Sequence, residues 1–196
     1  SILDDIEALP AGIMLWRSMT QWIGGMGIIV LTVALLPLFG VGGMQLFMAE
    51  APGPSGSKLH PKIGDTAKRL WIIYVLLTIV ETILLKVAGM SWLDAVNHSF
   101  TTMSTGGFST KNASVAAFNS PAIEYIITAF MLVGGINFSI LYFIFKGVFA
   151  KVIKNEEFKT YIGIIVLFTL LISGTLYFGN NQGLEESFRH TIFQVV

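Results

Sequence analysis

The stretch that decides the fold is "TTMSTGGFST", residues 101–110, which follows "SWLDAVNHSF" at residues 91–100. Apolar side chains recur at helical spacing in the earlier stretch, so it predicts a short helix from Ser91 to Met103. That helix is too short to cross a bilayer, which takes about 20 apolar residues. It ends in a turn of hydroxyl side chains and the glycine pair Gly106-Gly107, small and polar in an apolar chain.

The composition indicates an integral membrane protein. Of the 196 residues, 54% are hydrophobic and 12% are charged, with a mean hydropathy of +0.72. A soluble domain usually carries about twice that charged fraction. The formal net charge of zero argues against a nucleic-acid partner, and the absence of cysteine excludes disulfides, thiolate metal sites and a cysteine nucleophile. Membrane lipid is therefore the first partner that we expect.

Four apolar segments have the length of membrane-spanning helices. They are Ala11–Gly40, Leu70–Ala88, Ala122–Ala150 and Thr160–Gly179. Residues 89–121 lie between the second and third of them and hold the short helix with its glycine-rich return. Irregular backbone at membrane depth is tolerated where protein buries it or where it lines a water-filled path. The predicted fold class is therefore an all-α membrane protein of transmembrane helix, re-entrant pore helix, filter loop and transmembrane helix.

Basic residues indicate which loops face the cytoplasm, because Lys and Arg accumulate on that side. Loops 41–69 and 146–159 each hold four of them. We therefore expect these two loops to be cytoplasmic and the pore loop 91–121 to face outside.

The pattern repeats along the chain. "LPAGI" precedes Gly24-Gly25 at nearly the same spacing as "SPAIE" precedes Gly134-Gly135, and "LEESFRHTIFQVV" resembles the first pore helix. These matches divide the chain into four predicted segments. They are the end of one repeat (1–40), a cytoplasmic loop (41–69), a complete repeat (70–150) and the start of a further repeat (151–196). We expect the chain to be a fragment.

The turn after the pore helix suits a cation. A permeating cation exchanges its water shell for oxygen ligands, and backbone carbonyls supply them. Glycine lowers the cost of the dihedral angles that aim carbonyls at one axis. Ser104, Thr105, Gly106 and Gly107 fit this need, with the backbone of Thr105 and Gly106 as principal ligands. No charge lies between Met103 and Phe108, which favours a monovalent cation. The alternative is an ordinary helix cap and turn.

The third span carries an interruption, "LVGGINFS", at residues 132–139. Its residues Gly134, Gly135, Asn137 and Ser139 predict a flexible gate beneath the filter loop, since glycine weakens a helix and Asn137 can satisfy freed backbone groups. Close packing of helices through small residues is the alternative. Packing is the favoured interpretation for the glycines of "IGGMG" in the first span.

Charged residues inside the spans need a partner or water. Arg17 and Glu81 are predicted to pair across helices, and Glu124 is expected either to add negative potential at the pore mouth or to be solvated. His98 is expected to hydrogen-bond within the bundle. The sequence has no "HExxH" motif, Ser/His/Asp set or phosphate-binding loop, so we predict neither an enzyme nor a cofactor.

The stretches "SFTTMSTGGFST" and "QWIGGMGIIVLTVALLPLFGVGGMQLFMAEAPGP" resemble the TrkH family of bacterial potassium-transport subunits, within the Trk/Ktr/HKT superfamily. The resemblance implies four repeats around one pore, with Gly106 as a filter glycine and K⁺ as the transported ion. It also implies an inner-membrane location, a homodimer and a cytoplasmic nucleotide-binding regulatory subunit.

Two other functions remain open from the residues alone. One is an ion-coupled secondary transporter with its substrate site at the broken helix. The other is a non-transporting membrane scaffold.

Overall fold

A computed structural model of the chain describes residues 5–27, 63–180 and 183–196. Within these residues all regular structure is helical, which confirms the all-α prediction. The α-helices are α1 (Ala11–Trp22), α2 (Ile63–Val87), α3 (Trp92–Met103), α4 (Pro121–Gly134), α5 (Phe138–Phe145), α6 (Phe149–Ile153), α7 (Glu156–Asn180) and α8 (Leu184–Val195). A single 3₁₀ turn covers Ser114–Phe118 in the described ranges.

Two helices in the described part are long and apolar enough to cross a bilayer. Their apolar segments are Lys68–Val87 and Glu156–Gly179, each with a mean hydropathy of 2.1. At a rise of 1.5 Å per residue, 20 helical residues cover about 30 Å, the thickness of a bilayer's hydrocarbon core. Many large apolar side chains of α7 remain exposed, among them Ile164, Val166, Leu167, Phe168, Leu170 and Leu171.

Of the other two predicted spans, one lies partly outside the described residues and the other is interrupted, as the sequence predicted. Ala11–Gly40 begins as α1, which ends in a kink over Ile23–Gly27 where Gly25 leaves helical geometry (φ −68°, ψ −127°). Residues 28–62, with most of the predicted loop 41–69, are not among the described residues. Ala122–Ala150 is not one continuous helix, because α4 ends at Gly134 and α5 begins at Phe138. The interruption falls where "LVGGINFS" predicted it.

A pattern of helix lengths occurs twice. α2 and α7 have 25 residues each, and each is followed by a 12-residue helix, α3 and α8. Each short helix packs on the long helix that precedes it, and α4 contacts both short helices. Two similar units thus flank α4.

Local signals in the sequence explain the position of α3. Ser91 caps its first turn by accepting a hydrogen bond from the Asp94 backbone N–H at 3.0 Å. One face of the helix buries polar side chains that bond to its neighbours. The Ser18 hydroxyl of α1 donates to Asn97 at 2.7 Å, and the hydroxyls of Thr82 and Ser99 lie 2.6 Å apart. α3 is therefore tied to both α1 and α2.

An aromatic cluster fixes the end of α1 beside the end of α3. The Trp22 ring stacks on Tyr74 with centroids 5.2 Å apart and lies 5.3 Å from the ring of Phe100. The Tyr74 hydroxyl donates to the Trp22 carbonyl, and the Trp22 indole N–H donates to Thr78, each at 3.0 Å. The C-terminal turn of α1 is therefore held in place from two directions.

Two polar contacts join segments that are distant in the sequence or lie on different helices. Asn112 donates to Asp5 at 3.0 Å, and Asn137 donates to Glu157 of α7 at 3.2 Å.

Candidate ion-binding site

The loop that follows α3 begins as a helix cap. The N–H of Gly106 donates to the Thr101 carbonyl at 2.7 Å, and the N–H of Thr105 donates to the Thr102 carbonyl at 3.0 Å. This pair of bonds is the Schellman pattern, in which the residue after the cap adopts left-handed backbone. The interpretation of "STGGF" as a helix cap and turn is therefore correct for the first residues of the loop.

A cap alone does not explain the residue at the left-handed position. Thr105 has φ 55°, and Gly107 has φ 67°. Glycine is the usual residue at such a cap, and left-handed backbone is unfavourable for a β-branched side chain. Strained backbone of this kind concentrates at functional sites. The strain at Thr105 therefore marks the loop as a candidate site.

The second part of the loop, Phe108–Thr110, is bonded to its neighbours at each residue, and we call it the anchored half. The Thr101 hydroxyl donates to the Phe108 carbonyl at 2.8 Å. The Arg17 guanidinium donates to the Ser109 carbonyl, and the Thr110 hydroxyl donates to Asp94 at 2.5 Å. The side chains of Ser109 and Thr110 are buried. This segment is therefore fastened to both α1 and α3.

His98 adds a further bond to the anchored half. Its Nδ1 lies 2.8 Å from the Asp94 carbonyl oxygen, which can only accept, so Nδ1 carries the proton. Nε2 then accepts from the Ser109 hydroxyl at 3.0 Å. The Lys111 backbone N–H donates to the same hydroxyl oxygen at 3.0 Å. The expectation that His98 hydrogen-bonds within the bundle is confirmed.

The first part of the loop, Ser104–Gly107, leaves its backbone oxygens available, and we call it the ligand half. No hydrogen bond from any residue that the structure describes ends on the carbonyl oxygen of these four residues. Thr105, Gly106 and Gly107 are exposed. They follow the C-terminal end of α3, where the helix dipole is negative and favours a cation. The arrangement is chemically suited to binding a cation through backbone oxygen.

Two residues of the α1 segment lie directly behind the ligand half. A Cβ atom placed on Gly25 would lie 2.9 Å from Cβ of Ser104, and one placed on Gly106 would lie 2.8 Å from Oε1 of Gln21. Packing was the predicted role of the "IGGMG" glycines, and Gly25 does pack closely. Sequence reasoning missed Gln21, whose only signal is a polar side chain beside a glycine pair in an apolar span.

The helix break lies next to the same loop. A Cβ atom placed on Gly134 would lie 3.8 Å from Cγ2 of Thr105, and one placed on Gly135 would lie 2.5 Å from the Tyr161 hydroxyl. That hydroxyl donates at 3.1 Å to the carbonyl of Leu132, which the break leaves without a helical partner. Tyr161 and its helix α7 were not predicted at this position.

Two further residues of the predicted gate occupy the break or follow it. Asn137 lies between α4 and α5 and donates to the two carboxylate oxygens of Glu157 at 3.2 and 3.3 Å. Ser139 belongs to α5, and its side chain is not among the described parts. Glu157, like Tyr161, is therefore a neighbour of the break that sequence reasoning missed.

The predicted ion pair between Arg17 and Glu81 is not formed. The Arg17 guanidinium lies 5.1 Å from the centre of the Phe108 ring and donates to the Ser109 carbonyl. Glu81 is fully buried, and neither of its carboxyl oxygens has a hydrogen-bond partner in the described part of the chain. A carbonyl and an aromatic face thus contact the Arg17 cation, while its Nε and Nη1 have no hydrogen-bond partner among the described residues.

Glu124 also differs from both expectations. It lies in the first turn of α4 and pairs with Arg189 of α8 at 2.5 Å, with only 10% and 12% of the two side chains exposed. Arg189 also contacts the exposed Glu185 at 3.1 Å. Glu124 is thus neither solvated nor directed at the loop, because it joins α4 to the second short helix.

Comparisons with known proteins agree on one family. The family model described as "TrkH: Cation transport protein" matches residues 1–177. The chain is 45% identical over 194 residues to the Trk system potassium uptake protein TrkH of Salmonella typhimurium, covering 97% of this chain and 40% of that protein. It is 49% identical to the protein of the same name from Escherichia coli K12, covering 87% of this chain and 35% of that protein.

A solved structure shows the same relation. The crystal structure of the potassium transporter TrkH from Vibrio parahaemolyticus matches with a TM-score of 0.76 and 38% sequence identity, over 97% of this chain and 38% of that one. The chain therefore spans about two fifths of the length of these relatives. A family of cation transport proteins is not an enzyme family, so the prediction that the chain is not an enzyme is confirmed. The chain belongs to the TrkH family of cation transport proteins.

Proposed function

We propose that this chain forms part of the pore of a bacterial K⁺ uptake protein, in which the ligand half, Ser104–Gly107, is one strand of the selectivity filter. The observation that carries the proposal is the four consecutive carbonyl oxygens that accept no hydrogen bond from the described residues. Exposed carbonyl oxygens that take part in no internal hydrogen bond are available to replace the water shell of an ion. In this proposal they bind K⁺, and the backbone of Thr105 and Gly106 contributes the principal ligands.

The chemistry of the ligand half favours a monovalent cation. It holds no charged side chain, and a carbonyl site exchanges a water shell for dipoles without trapping the ion. A divalent ion is usually held by carboxylates. The potassium uptake named for the relatives agrees with this choice.

The repeated helix lengths support a pore built from similar units. The complete unit at 70–150 supplies one filter strand, and segments 1–40 and 151–196 belong to the units on either side. One strand does not surround an ion, so the remaining strands come from other repeats of a longer polypeptide. The pore helix is α3, and its equivalent in the next unit is α8.

The broken helix serves as the gate in this proposal. Gly134 lies against Thr105, so a movement of residues 134–139 changes the space directly beside the filter. The two rival functions are less well supported. In a secondary transporter the break is the substrate site, yet here Tyr161 and Asn137 fill it with internal hydrogen bonds. A scaffold gives no reason for the strained Thr105.

The basic residues of the two loops support a membrane orientation, and the family resemblance supports the choice of partners. We propose a multi-pass protein of the bacterial inner membrane, with loops 41–69 and 146–159 cytoplasmic and the pore loop 91–121 outside. The assembly is a homodimer that binds a cytoplasmic nucleotide-binding regulatory subunit through the two cytoplasmic loops. Deletion of residues 52–57 should therefore weaken nucleotide control of flux, and unchanged control would contradict this contact. The mass of the detergent-solubilised complex tests the dimer.

The central experiment measures K⁺ and Na⁺ flux in liposomes that contain the full-length polypeptide carrying this segment. Gly106→Ser should lower the K⁺-to-Na⁺ flux ratio by about tenfold, since one extra carbon in a fitted pocket changes discrimination by about 1–3 kcal/mol. Gly174→Ser is the matched control, because a Cβ atom at Gly174 meets nothing within 4 Å. An unchanged ratio in Gly106→Ser would place the ion path elsewhere.

A further inference from the structure

The space that a side chain at position 106 would need is already occupied. Oε1 of Gln21 would lie 2.8 Å, and its Cδ 3.1 Å, from a Cβ atom on Gly106. The same Oε1 is buried and has no hydrogen-bond partner among the described residues. The Gln21 amide therefore occupies the space that a Cβ atom on Gly106 would need. No hydrogen bond from a described residue holds its oxygen there.

The backbone that carries Gln21 is held in place, so a side chain at position 106 is accommodated by rotation of the Gln21 amide away from the loop. The next residue, Trp22, packs between Tyr74 and Phe100 and is hydrogen-bonded to Thr78. Beyond it, Gly25 lies against Ser104 so closely that a Cβ atom there would be 2.9 Å from the Ser104 side chain. Because α1 is held from both directions, its position relative to the ligand half is set.

The two glycines of the ligand half are required for different reasons. Gly107 has φ +67° and open space around it, so a side chain there is strained by the backbone whatever its neighbours. Gly106 does not adopt left-handed backbone, and the obstacle to a side chain there is contact with Gln21 and, at 3.4 Å, with the Ser104 hydroxyl. Truncation of Gln21 should therefore make room for a side chain at position 106. It should not relieve the backbone strain of a side chain at position 107.

Resting on the proposed function, we propose that Gln21 is a positioning residue for the ion site. Its side chain packs beside Gly106 and limits the directions that the neighbouring carbonyls can take. α1 belongs to the segment before the complete unit, so one filter strand is shaped by a side chain from the neighbouring unit. Gln21 does not touch the ion.

The test is a set of double substitutions in the full-length polypeptide, with K⁺ and Na⁺ flux measured in liposomes. Gly106→Ala alone should lower the K⁺-to-Na⁺ flux ratio by about tenfold. Gln21→Ala alone should lower the ratio by less than Gly106→Ala does, because it removes the packing beside Gly106 without adding a clash. The double variant should match Gln21→Ala alone. An unchanged ratio in Gln21→Ala alone would contradict the positioning role. Gly107→Ala should lower the ratio similarly and should not be rescued by Gln21→Ala. Thr20→Ala, an exposed position on the same helix, is the control for α1.

The outcomes separate this inference from the proposed function. If Gly106→Ala and Gly107→Ala both leave the flux ratio unchanged, the ion site itself is wrong. If both lower the ratio but Gln21→Ala rescues neither, or rescues both equally, the role of Gln21 is wrong and the site remains. Fluxes are corrected for the leak of protein-free liposomes, and the ratio is compared only among variants whose K⁺ flux exceeds that leak, so a loss of folded protein does not imitate either result.

Discussion

The two halves of one seven-residue loop differ in almost every physical respect. In the anchored half, Phe108–Thr110, each residue takes part in a hydrogen bond to α1 or α3. In the ligand half, Ser104–Gly107, the carbonyl oxygens accept none from the described residues, and residues 105–107 are exposed. The ligand half thus lies between a helix cap and a bonded return. Backbone oxygens can be kept available and in place when the residues on either side are fixed.

This difference predicts two classes of substitution. A change in the support of the loop should lower the stability of the protein and reduce K⁺ and Na⁺ flux together. A change in the ligand half should alter the ratio of the two ions with a smaller loss of stability, as expected for Gly106→Ser. Preorganised ligands that need no rearrangement are the general means by which proteins select a bound group.

The largest loss of stability should follow Glu124→Gln, at a support outside the loop. Glu124 and Arg189 are paired at 2.5 Å with little exposure. Removing one partner of a buried pair costs about 3 kcal/mol. We expect a lower midpoint of chemical unfolding in detergent and an unchanged K⁺-to-Na⁺ flux ratio. Glu185→Gln is the control, because its side chain is 62% exposed, although it contacts the same arginine. If Glu124→Gln changed the ion ratio and kept normal stability, the separation of substitutions into those that affect stability and those that affect selectivity would be wrong.

A smaller loss is expected from Asp94→Ala, which acts on the anchored half directly. Its carboxylate accepts from the Thr110 hydroxyl at 2.5 Å and from the Ser91 hydroxyl at 2.7 Å. Loss of two such bonds costs about 2 kcal/mol. The unfolding midpoint measures this cost, with the exposed Glu186→Ala as control. Full stability in Asp94→Ala would show that the return segment does not need these bonds.

The smallest effect concerns the segment that follows the anchored half, where the Asn112 amide donates to Asp5 at 3.0 Å. This bond holds the pKa of the Asp5 carboxyl below its usual value of 3.8. A lowered pKa in the folded protein means that the contact contributes fully above pH 3.8 and is lost as the pH falls through the lowered value.

Titration of the Asp5 carboxyl by NMR checks the sign of this effect. The midpoint should lie below 3.8 in the parent protein and should move upward in Asn112→Ala. The same midpoint in both proteins would show that the Asn112–Asp5 hydrogen bond does not form in solution.

The sequence predicts the parts of this site that depend on local pattern. Helical spacing up to Phe100, followed by Gly106-Gly107, is enough to place α3 and its loop, and Gly134-Gly135 is enough to place the helix break. Both are consequences of backbone preference within about ten residues. The family resemblance then gives the loop its candidate function.

The supporting contacts are not predictable in this way, because they join distant segments. Arg17 reaches the carbonyl of Ser109, 92 residues away, instead of Glu81. The glycine pairs show the same limit. Gly25 and Gly135 follow similar sequences, yet one lies against Ser104 of the loop and the other against Tyr161 of α7. The packing of the helices determines which residues each glycine contacts, and a local sequence pattern does not predict that packing.

The most direct measurement is anomalous diffraction from crystals of the full-length protein grown with Rb⁺ in place of K⁺. The proposal predicts an anomalous peak in direct contact with the carbonyl oxygens of Thr105 and Gly106, which weakens in crystals of Gly106→Ser. A peak of full strength in that variant, or a pore in which Rb⁺ lies only at positions away from Ser104–Gly107, would contradict it.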